Sequence, residues 1–197
     1  MVLDTTSFYD SDPESYSDKT FHADVSHLRE PFVSLLEPGS RILDLGCGSG
    51  RDSLAFHGLG FIVDPVDGSE GMCRIARSNT GLPVRRMLFS ELDSVEGYDG
   101  VWACASLLHL PMDELADVLH RICRALRPGG VFYASFKDGD FQGFRDGRWY
   151  TDLTADALSD LGSDHGFTPV RVWNSLEPGR DMRWSNAIFM KPSDARE

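Results

Sequence analysis

The hydrophobic positions of this chain change period repeatedly, and each change marks an element. Residues 24–36 read as a helix that Pro38-Gly39 ends. A short apolar run predicts a strand at about 40–45. Apolar residues resume at helical spacing at Leu54, Ala55 and Leu59, predicting a helix over 50–58. The alternation continues with a strand at 60–66, a helix at 69–78, a strand near 84–89 and a strand at 100–105. Pro111 suits the first position of a helix over 112–126. Arg127-Pro128-Gly129-Gly130 stops that helix, and a strand follows at 131–136. The Gly- and Asp-rich stretch 137–147 reads as a loop. A helix over 154–164 has Thr154 or Asp152 as its cap. Two last strands, about 167–175 and 183–190, flank Glu177-Pro178-Gly179-Arg180 and pair as an antiparallel hairpin. Strands alternating with helices predict an α/β fold, doubly wound and Rossmann-like. Its seven-stranded sheet is mostly parallel, with the antiparallel hairpin at its C-terminal end.

Repeats, low-complexity tracts and linkers are missing from the pattern, so residues 24–192 are expected to form one domain. Residues 1–23 are polar, acidic and aromatic, with Tyr9, Tyr16 and Phe21 spread along them. They precede the first core helix and are expected to act as a lid across the carboxyl ends of the strands. Residues 193–197 are expected to be a disordered tail.

Composition narrows the function. The chain has 197 residues, enough for one domain with a real core. It carries 31 acids against 19 bases, a net charge of -12. Nucleic acid binding leans on a basic surface facing phosphates, so no nucleic acid partner is expected. The four cysteines, Cys47, Cys73, Cys104 and Cys123, form no C-x-x-C pair and no zinc-like spacing with histidines. No metal is expected, and buried thiols in a reducing cytoplasm are the default. Met1 to Tyr16 contains acids and no apolar core, unlike a signal peptide. No run reaches the length of a membrane span. The expected partner is a small molecule, and the expected state a monomer or weak homodimer.

The candidate chemistry begins at Arg41-Ile42-Leu43-Asp44-Leu45-Gly46-Cys47-Gly48-Ser49-Gly50-Arg51-Asp52. A strand ends in an acid, passes through three glycines at alternate positions, and enters a helix. Glycines permit positive φ and close approach of a ligand to the backbone. The helix start beyond them offers free N–H groups. The spacing is G-x-G-x-G, not the dinucleotide G-x-G-x-x-G, and Asp44 lies where it would repel a pyrophosphate. Asp67 follows seventeen residues after Gly50, at the end of the second strand. A carboxylate there can accept hydrogen bonds from both hydroxyls of a ribose. Asp64 is a rival by type but lies too early, before Pro65.

The glycine run resembles motif I of the class I S-adenosylmethionine (SAM) methyltransferases. Tyr98-Asp99-Gly100-Val101-Trp102-Ala103-Cys104-Ala105-Ser106-Leu107-Leu108-His109-Leu110-Pro111 resembles motif IV and its following loop. Leu126-Arg127-Pro128-Gly129-Gly130-Val131 resembles the helix-to-strand corner of these enzymes. Together the matches cover roughly residues 40–135. One position departs: Leu88 stands where many family members carry an acid for the adenine amino group.

The resemblance implies SAM as cofactor and S-adenosylhomocysteine as product. It places Asp44 toward the methionine ammonium and Arg51 toward its carboxylate. Gly46, Cys47, Gly48 and Gly50 give backbone access, and Asp67 with Gly68 and Ser69 holds the ribose end. Met72, Leu88 and Phe89 enclose adenine, and Ala105 lies beside the methionine part. Tyr16 and Thr20 close over the cofactor. His109, just past the fourth strand, is the candidate base, since its pKa range suits proton transfer near neutrality. Arg148, Tyr150, Arg183 and Trp184 are candidates for the acceptor side of the pocket, where two arginines favour an anion. A base is needed only for a protonated nucleophile.

The flanks add a narrower likeness. Phe8-Tyr9-Asp10 through Tyr16-Ser17-Asp18-Lys19-Thr20 is similar to the lead of small bacterial methyltransferases. Gly50-Arg51-Asp52-Ser53 and Asp146-Gly147-Arg148-Trp149-Tyr150 resemble tellurite-resistance-type members. That likeness implies transfer to a small nucleophile such as a thiol or metalloid oxyanion. Two rival functions stay open at this point. One is a nicotinamide-dependent Rossmann oxidoreductase, and the other a module that binds SAM without catalysis.

Overall fold

Ile42 and Leu43 are adjacent in the chain, and each is fully buried on an opposite face of one sheet. The same alternation recurs at Val101 and Trp102, at Phe132 and Tyr133, and at Ile188 and Phe189. Strands buried on both faces need helices on both faces, and that requirement organises the molecule.

A computed structural model describes residues 5–177 and 182–193. Helices α1 (Thr5–Ser11), α2 (Pro13–Thr20) and α3 (Ser26–Val33) lead into strand β1 (Arg41–Leu45). Then come α4 (Arg51–Gly58), β2 (Ile62–Asp67), α5 (Glu70–Thr80), β3 (Arg85–Arg86) and β4 (Tyr98–Ala103). The second half runs α6 (Met112–Ala125), β5 (Leu126–Lys137), β6 (Gln142–Arg145), β7 (Arg148–Thr151), α7 (Ala155–Asp164), β8 (Thr168–Leu176) and β9 (Arg183–Met190).

The main sheet has the order β3-β2-β1-β4-β5-β9-β8. The first five strands are parallel, and β9 runs antiparallel to both β5 and β8. This is the expected seven-stranded, mostly parallel sheet with an antiparallel C-terminal hairpin. It differs from the dinucleotide-binding order 3-2-1-4-5-6, in which every strand is parallel. The order reverses between β1 and β4, which opens a crevice at their carboxyl ends.

One core cluster lies on the side of α3 and α4, where Phe32 and Phe56 pack against Trp102 and Tyr133. Trp102 and Tyr133 stack with centroids 3.9 Å apart. The other cluster packs α6 and α7 on the opposite face through Leu115, Leu119, Ile122, Leu158 and Leu161. Gly162 is forced by this packing. A Cβ there would lie 2.2 Å from the Phe189 ring.

Two local expectations are corrected, and the N-terminal segment gains a structure. The strand near 84–89 has only two paired residues. The chain then turns through a 3-10 segment at Phe89–Glu91, with the Glu91 carboxylate accepting from the Leu88 N–H. The loop at 137–147 contains β6, which pairs with β7 as a separate hairpin. Its turn, Asp146-Gly147, has positive φ at both residues (52° and 77°), the twist-matched hairpin geometry that Asp-Gly favours. The N-terminal segment is helical: Asp12 accepts from the Ser15 N–H, and Pro13 occupies the first helical position of α2. The expected tail at 193–197 lies outside the described residues except for Ser193, as does most of the Glu177-Pro178-Gly179-Arg180 turn.

Candidate active site

The crevice at the carboxyl ends of β1, β2 and β4 opens into a cavity of about 1300 Å³. A single drug-sized ligand needs roughly 300–1,000 Å³, so there is room for two small molecules side by side.

Three glycines enter the site for three different reasons. Gly46 has φ +84°, and a Cβ on it would lie 2.5 Å from Ser106 Cβ. Ser106 in turn donates to the Leu45 carbonyl at 2.7 Å, tying the β4 loop to the end of β1. Gly50, at φ +82°, sits against Thr80 and Ala76 of α5, so its role is packing. Gly48 alone faces open space, where the nearest atom to an added Cβ is Tyr16 Cε1 at 3.9 Å. Its N–H donates to Asp67 Oδ2 at 2.9 Å.

Asp67 also accepts from the Ser69 N–H at 2.9 Å through its other oxygen. The Gly68 N–H is a further donor to it, and a carboxylate offers about four acceptor positions, so acceptor capacity remains. Burial raises its pKa, and the backbone donors offset part of that rise. Ser69 caps α5 by accepting from the Met72 N–H. Asp64 is engaged elsewhere, in an ion pair with Arg41 at 2.6 Å. Asp44 is 2% exposed and accepts from Ser53. Burial pushes its pKa up to about 7, with the neighbouring Asp52 charge adding to the rise.

Beside Asp44 lies an ionic knot. Asp52 accepts from Arg51 at 2.7 Å, Arg29 at 2.7 Å and the Trp102 indole N–H at 3.0 Å. Burial alone would raise its pKa, but the two guanidinium charges and the indole hold it below the usual carboxylate range. One carboxylate against two arginines leaves the knot with a net positive charge, and Arg51 is its arginine on the cavity wall.

The N-terminal helices roof the site. Asp10 accepts from the Gly71 N–H at 2.8 Å and from Ser69 Oγ, which pins α1 to the start of α5. Thr20 Oγ1 lies 3.3 Å from Ser49 Oγ. Tyr9 and Tyr16 pack edge to face at 4.9 Å, both facing the cavity. The Tyr9 hydroxyl is 2.7 Å from His109 Nε2, and His109 Nδ1 is 2.8 Å from the Trp149 carbonyl. Burial lowers the His109 pKa to about 4, and Arg148 and Lys137 push the same way. Ala105 carries φ +52°, and its N–H donates to Ser135 Oγ at 2.8 Å. A non-glycine residue there costs energy and marks a constrained spot beside a ligand site.

Of the residues expected from the sequence, the cavity wall contains Tyr16, Thr20, Asp44, Gly46, Cys47, Gly48, Arg51, Asp67, Gly68, Met72, Leu88, Phe89, Ala105, His109, Arg148 and Trp184. Gly50 and Ser69 stand behind the wall. Tyr150 is buried beneath His109, with ring centroids 5.0 Å apart. Arg183 is solvent-exposed and leans toward Asp138 at 3.7 Å. Tyr9, Asp10, Arg29 and Asp52 were missed. Trp102 was the available signal for Asp52: an indole N–H inside an apolar strand must find an acceptor. Among the described residues no group of three metal-ligating side chains converges, and no helix is long and apolar enough to cross a membrane.

The chain is similar to known proteins over this site. Residues 42–130 match the model of a methyltransferase domain. The chain has the Rossmann-like fold of class I methyltransferases. It is 33% identical over 122 residues to a ubiquinone biosynthesis O-methyltransferase of Thiobacillus denitrificans, covering 57% of this chain and 52% of that protein. The chain thus spans about half the length of the curated relatives it matches. Among solved structures, it resembles the 1,6-didemethyltoxoflavin-N1-methyltransferase of Burkholderia thailandensis, determined with 1,6-didemethyltoxoflavin and S-adenosylhomocysteine bound. The TM-score is 0.78 and the identity 26%, covering 96% of this chain and 86% of that one. Phosphoethanolamine N-methyltransferase 2 of Haemonchus contortus shares the fold at TM-score 0.77 and 17% identity, covering 97% of this chain and 59% of that one.

Proposed function

We propose that this chain transfers the methyl group of SAM to a small, negatively charged metabolite. The observation that carries the reading is the pair of buried acids, Asp44 and Asp67, on either side of the open Gly48 backbone. Two carboxylates there suit a cationic, ribose-bearing ligand and repel a pyrophosphate, which disfavours a nicotinamide dinucleotide.

The chain's residues fit the cofactor. Asp67 has acceptor capacity left for ribose hydroxyls, and Asp44 offers a carboxylate to an ammonium. Arg51 offers a positive charge to a carboxylate. Met72, Leu88 and Phe89 supply an apolar slot for a purine, with Leu88 taking the place of an acid. When bound, SAM supplies an electrophilic methyl carbon on a sulfonium. The remaining work of the chain is to position the acceptor and exclude water. Tyr9, Tyr16 and Thr20 do the second as parts of a lid made by α1 and α2.

Arg148 places a cation on the cavity wall. It stacks over Phe8 at 4.2 Å, and among the described residues no carboxylate pairs with it. Lys137 stands behind the wall, 4.1 Å over the Tyr150 ring. These charges favour an anionic acceptor. Of the acceptors implied by the tellurite-resistance-type likeness, the metalloid oxyanion is anionic as it stands, and a thiol meets the charge only through another group of its molecule. The 1,6-didemethyltoxoflavin bound by the Burkholderia relative is a heterocyclic small molecule, and a relative of that kind supports a small acceptor here. The test is incubation of methyl-labelled SAM with the low-molecular-weight fraction of a cell extract. Label should appear in a small anionic product; label confined to macromolecules would overturn the reading.

A further inference from the structure

His109 has both ring nitrogens occupied. Nδ1 faces the Trp149 carbonyl at 2.8 Å, and Nε2 faces the Tyr9 hydroxyl at 2.7 Å. A carbonyl can only accept, so Nδ1 carries the proton and Nε2 is left as an acceptor. The Tyr9 O–H therefore donates to Nε2. Tyr9 lines the cavity, and its oxygen accepts from Arg148 Nη1 at 3.4 Å while keeping one lone pair. The partners lie a hundred residues apart in sequence and on different elements. The carbonyl that fixes the ring comes from β7, which Thr151 ties to the β4 loop by donating to the Leu110 carbonyl at 2.7 Å.

We propose that Tyr9 is a catalytic residue that contacts the methyl acceptor and takes its proton, relaying its own proton to His109 Nε2. The inference rests on the methyltransferase reading above and deepens it. It means that the acceptor reaches the site with a proton on its attacking atom, as an O–H, N–H or S–H group.

The step balances. A lone pair of the acceptor atom forms the bond to the methyl carbon. The carbon–sulfur bond breaks with both electrons going to sulfur, leaving a neutral thioether. The acceptor's proton passes to the Tyr9 oxygen as the Tyr9 proton passes to Nε2. The positive charge that began on the sulfonium ends on the imidazolium. An atom that has just gained a methyl cation is itself strongly acidic, so a weak base suffices. Burial makes His109 such a base, and the facing cations Arg148 and Lys137 disfavour its imidazolium. Once the product leaves, His109 Nε2 returns its proton to the Tyr9 oxygen, which gives the acceptor's proton to water entering the cavity. Tyr150, packed under the ring, carries no charge, because burial pushes its pKa up to about 12.

The test uses the full chain. Nitrogen-15 NMR of His109 should show the Nδ1–H neutral tautomer, and Tyr9→Phe should shift the Nε2 resonance. In Tyr9→Phe, label transfer from SAM to the small-molecule extract should fall about 10²-fold, with SAM affinity by calorimetry within about threefold of the parent. An Nε2–H tautomer in the parent would overturn the relay. So would Tyr9→Phe transferring label at the parent rate, or losing turnover only in proportion to SAM affinity, since Tyr9 would then be a lid residue alone. If the parent binds no SAM and transfers no label, the methyltransferase reading itself falls, and this inference falls with it.

Discussion

Asp10 Oδ1 accepts from the Gly71 N–H at 2.8 Å across sixty-one residues of sequence, so a carboxylate from α1 completes the first turn of α5. Four N–H groups at a helix start lack partners within the helix, and this contact satisfies one of them while fixing the roof over the site. The expected result of Asp10→Ala is faster hydrogen exchange across residues 5–20. SAM binding should weaken by about 1–2 kcal/mol, with the core unfolding transition nearly unchanged. Deleting residues 1–20 should leave a folded protein with weakened SAM affinity and far lower turnover. A truncated protein as active as the full chain would rule out the lid.

Asp67→Ala should weaken SAM binding by about 1.5–3 kcal/mol, because it removes a charged acceptor from the ribose position and frees the Gly48 and Ser69 amides. Asp64→Ala should matter far less, since Asp64 pairs with Arg41 away from the cavity. Calorimetry on the two variants decides; the reverse order would place the ribose contact wrongly.

Much of this arrangement was legible in the sequence, for physical reasons. Asp44, the glycines and Asp67 lie at the ends of β1 and β2, where strand, turn and helix follow from local pattern alone. Polar contacts between distant segments leave no such trace. The Tyr9–His109 and Asp10–Gly71 pairs depend on how α1 lies across the sheet, which no local period reports. The β6–β7 hairpin was different: Asp146-Gly147 between Phe144 and Trp149 is a local signal. The surrounding glycines and aspartates hid it among loop residues. Gly50 adds a requirement that spacing does not report: its packing against Thr80 and Ala76 leaves no room for a Cβ.

Asp44 predicts a proton linkage. Its pKa is raised to about 7 by burial and by Asp52, while Ser53 and Arg51 work against the rise and Asp67 adds to it. A bound ammonium favours the carboxylate and lowers that pKa. SAM binding near pH 7 should therefore release a proton, and affinity should fall as pH drops below about 7. Calorimetry in two buffers of different ionisation enthalpy measures the release. Asp44→Asn should abolish it.

His109 predicts a stability effect of opposite sign. Its folded pKa, about 4, lies below the ordinary 6.5, so the unfolded chain binds more protons between those values. The stabilisation is complete above pH 6.5 and is lost as pH falls toward 4, up to about 3 kcal/mol. Asp44 acts oppositely: its raised pKa stabilises the fold at low pH and the benefit fades toward pH 7. Comparing the parent with His109→Gln in denaturant titrations cancels the Asp44 contribution. The parent should lose more stability than the variant between pH 6.5 and 4.5.

The central claim is that two buried acids and an open glycine backbone form a SAM site. Titration of the full chain with SAM, S-adenosylhomocysteine and NADH by calorimetry tests it most directly. Binding of SAM and its product with a Kd of about 1 μM, on the order of -8 kcal/mol, and no measurable heat with NADH, is the predicted result. Tight binding of NADH with no binding of SAM would contradict it.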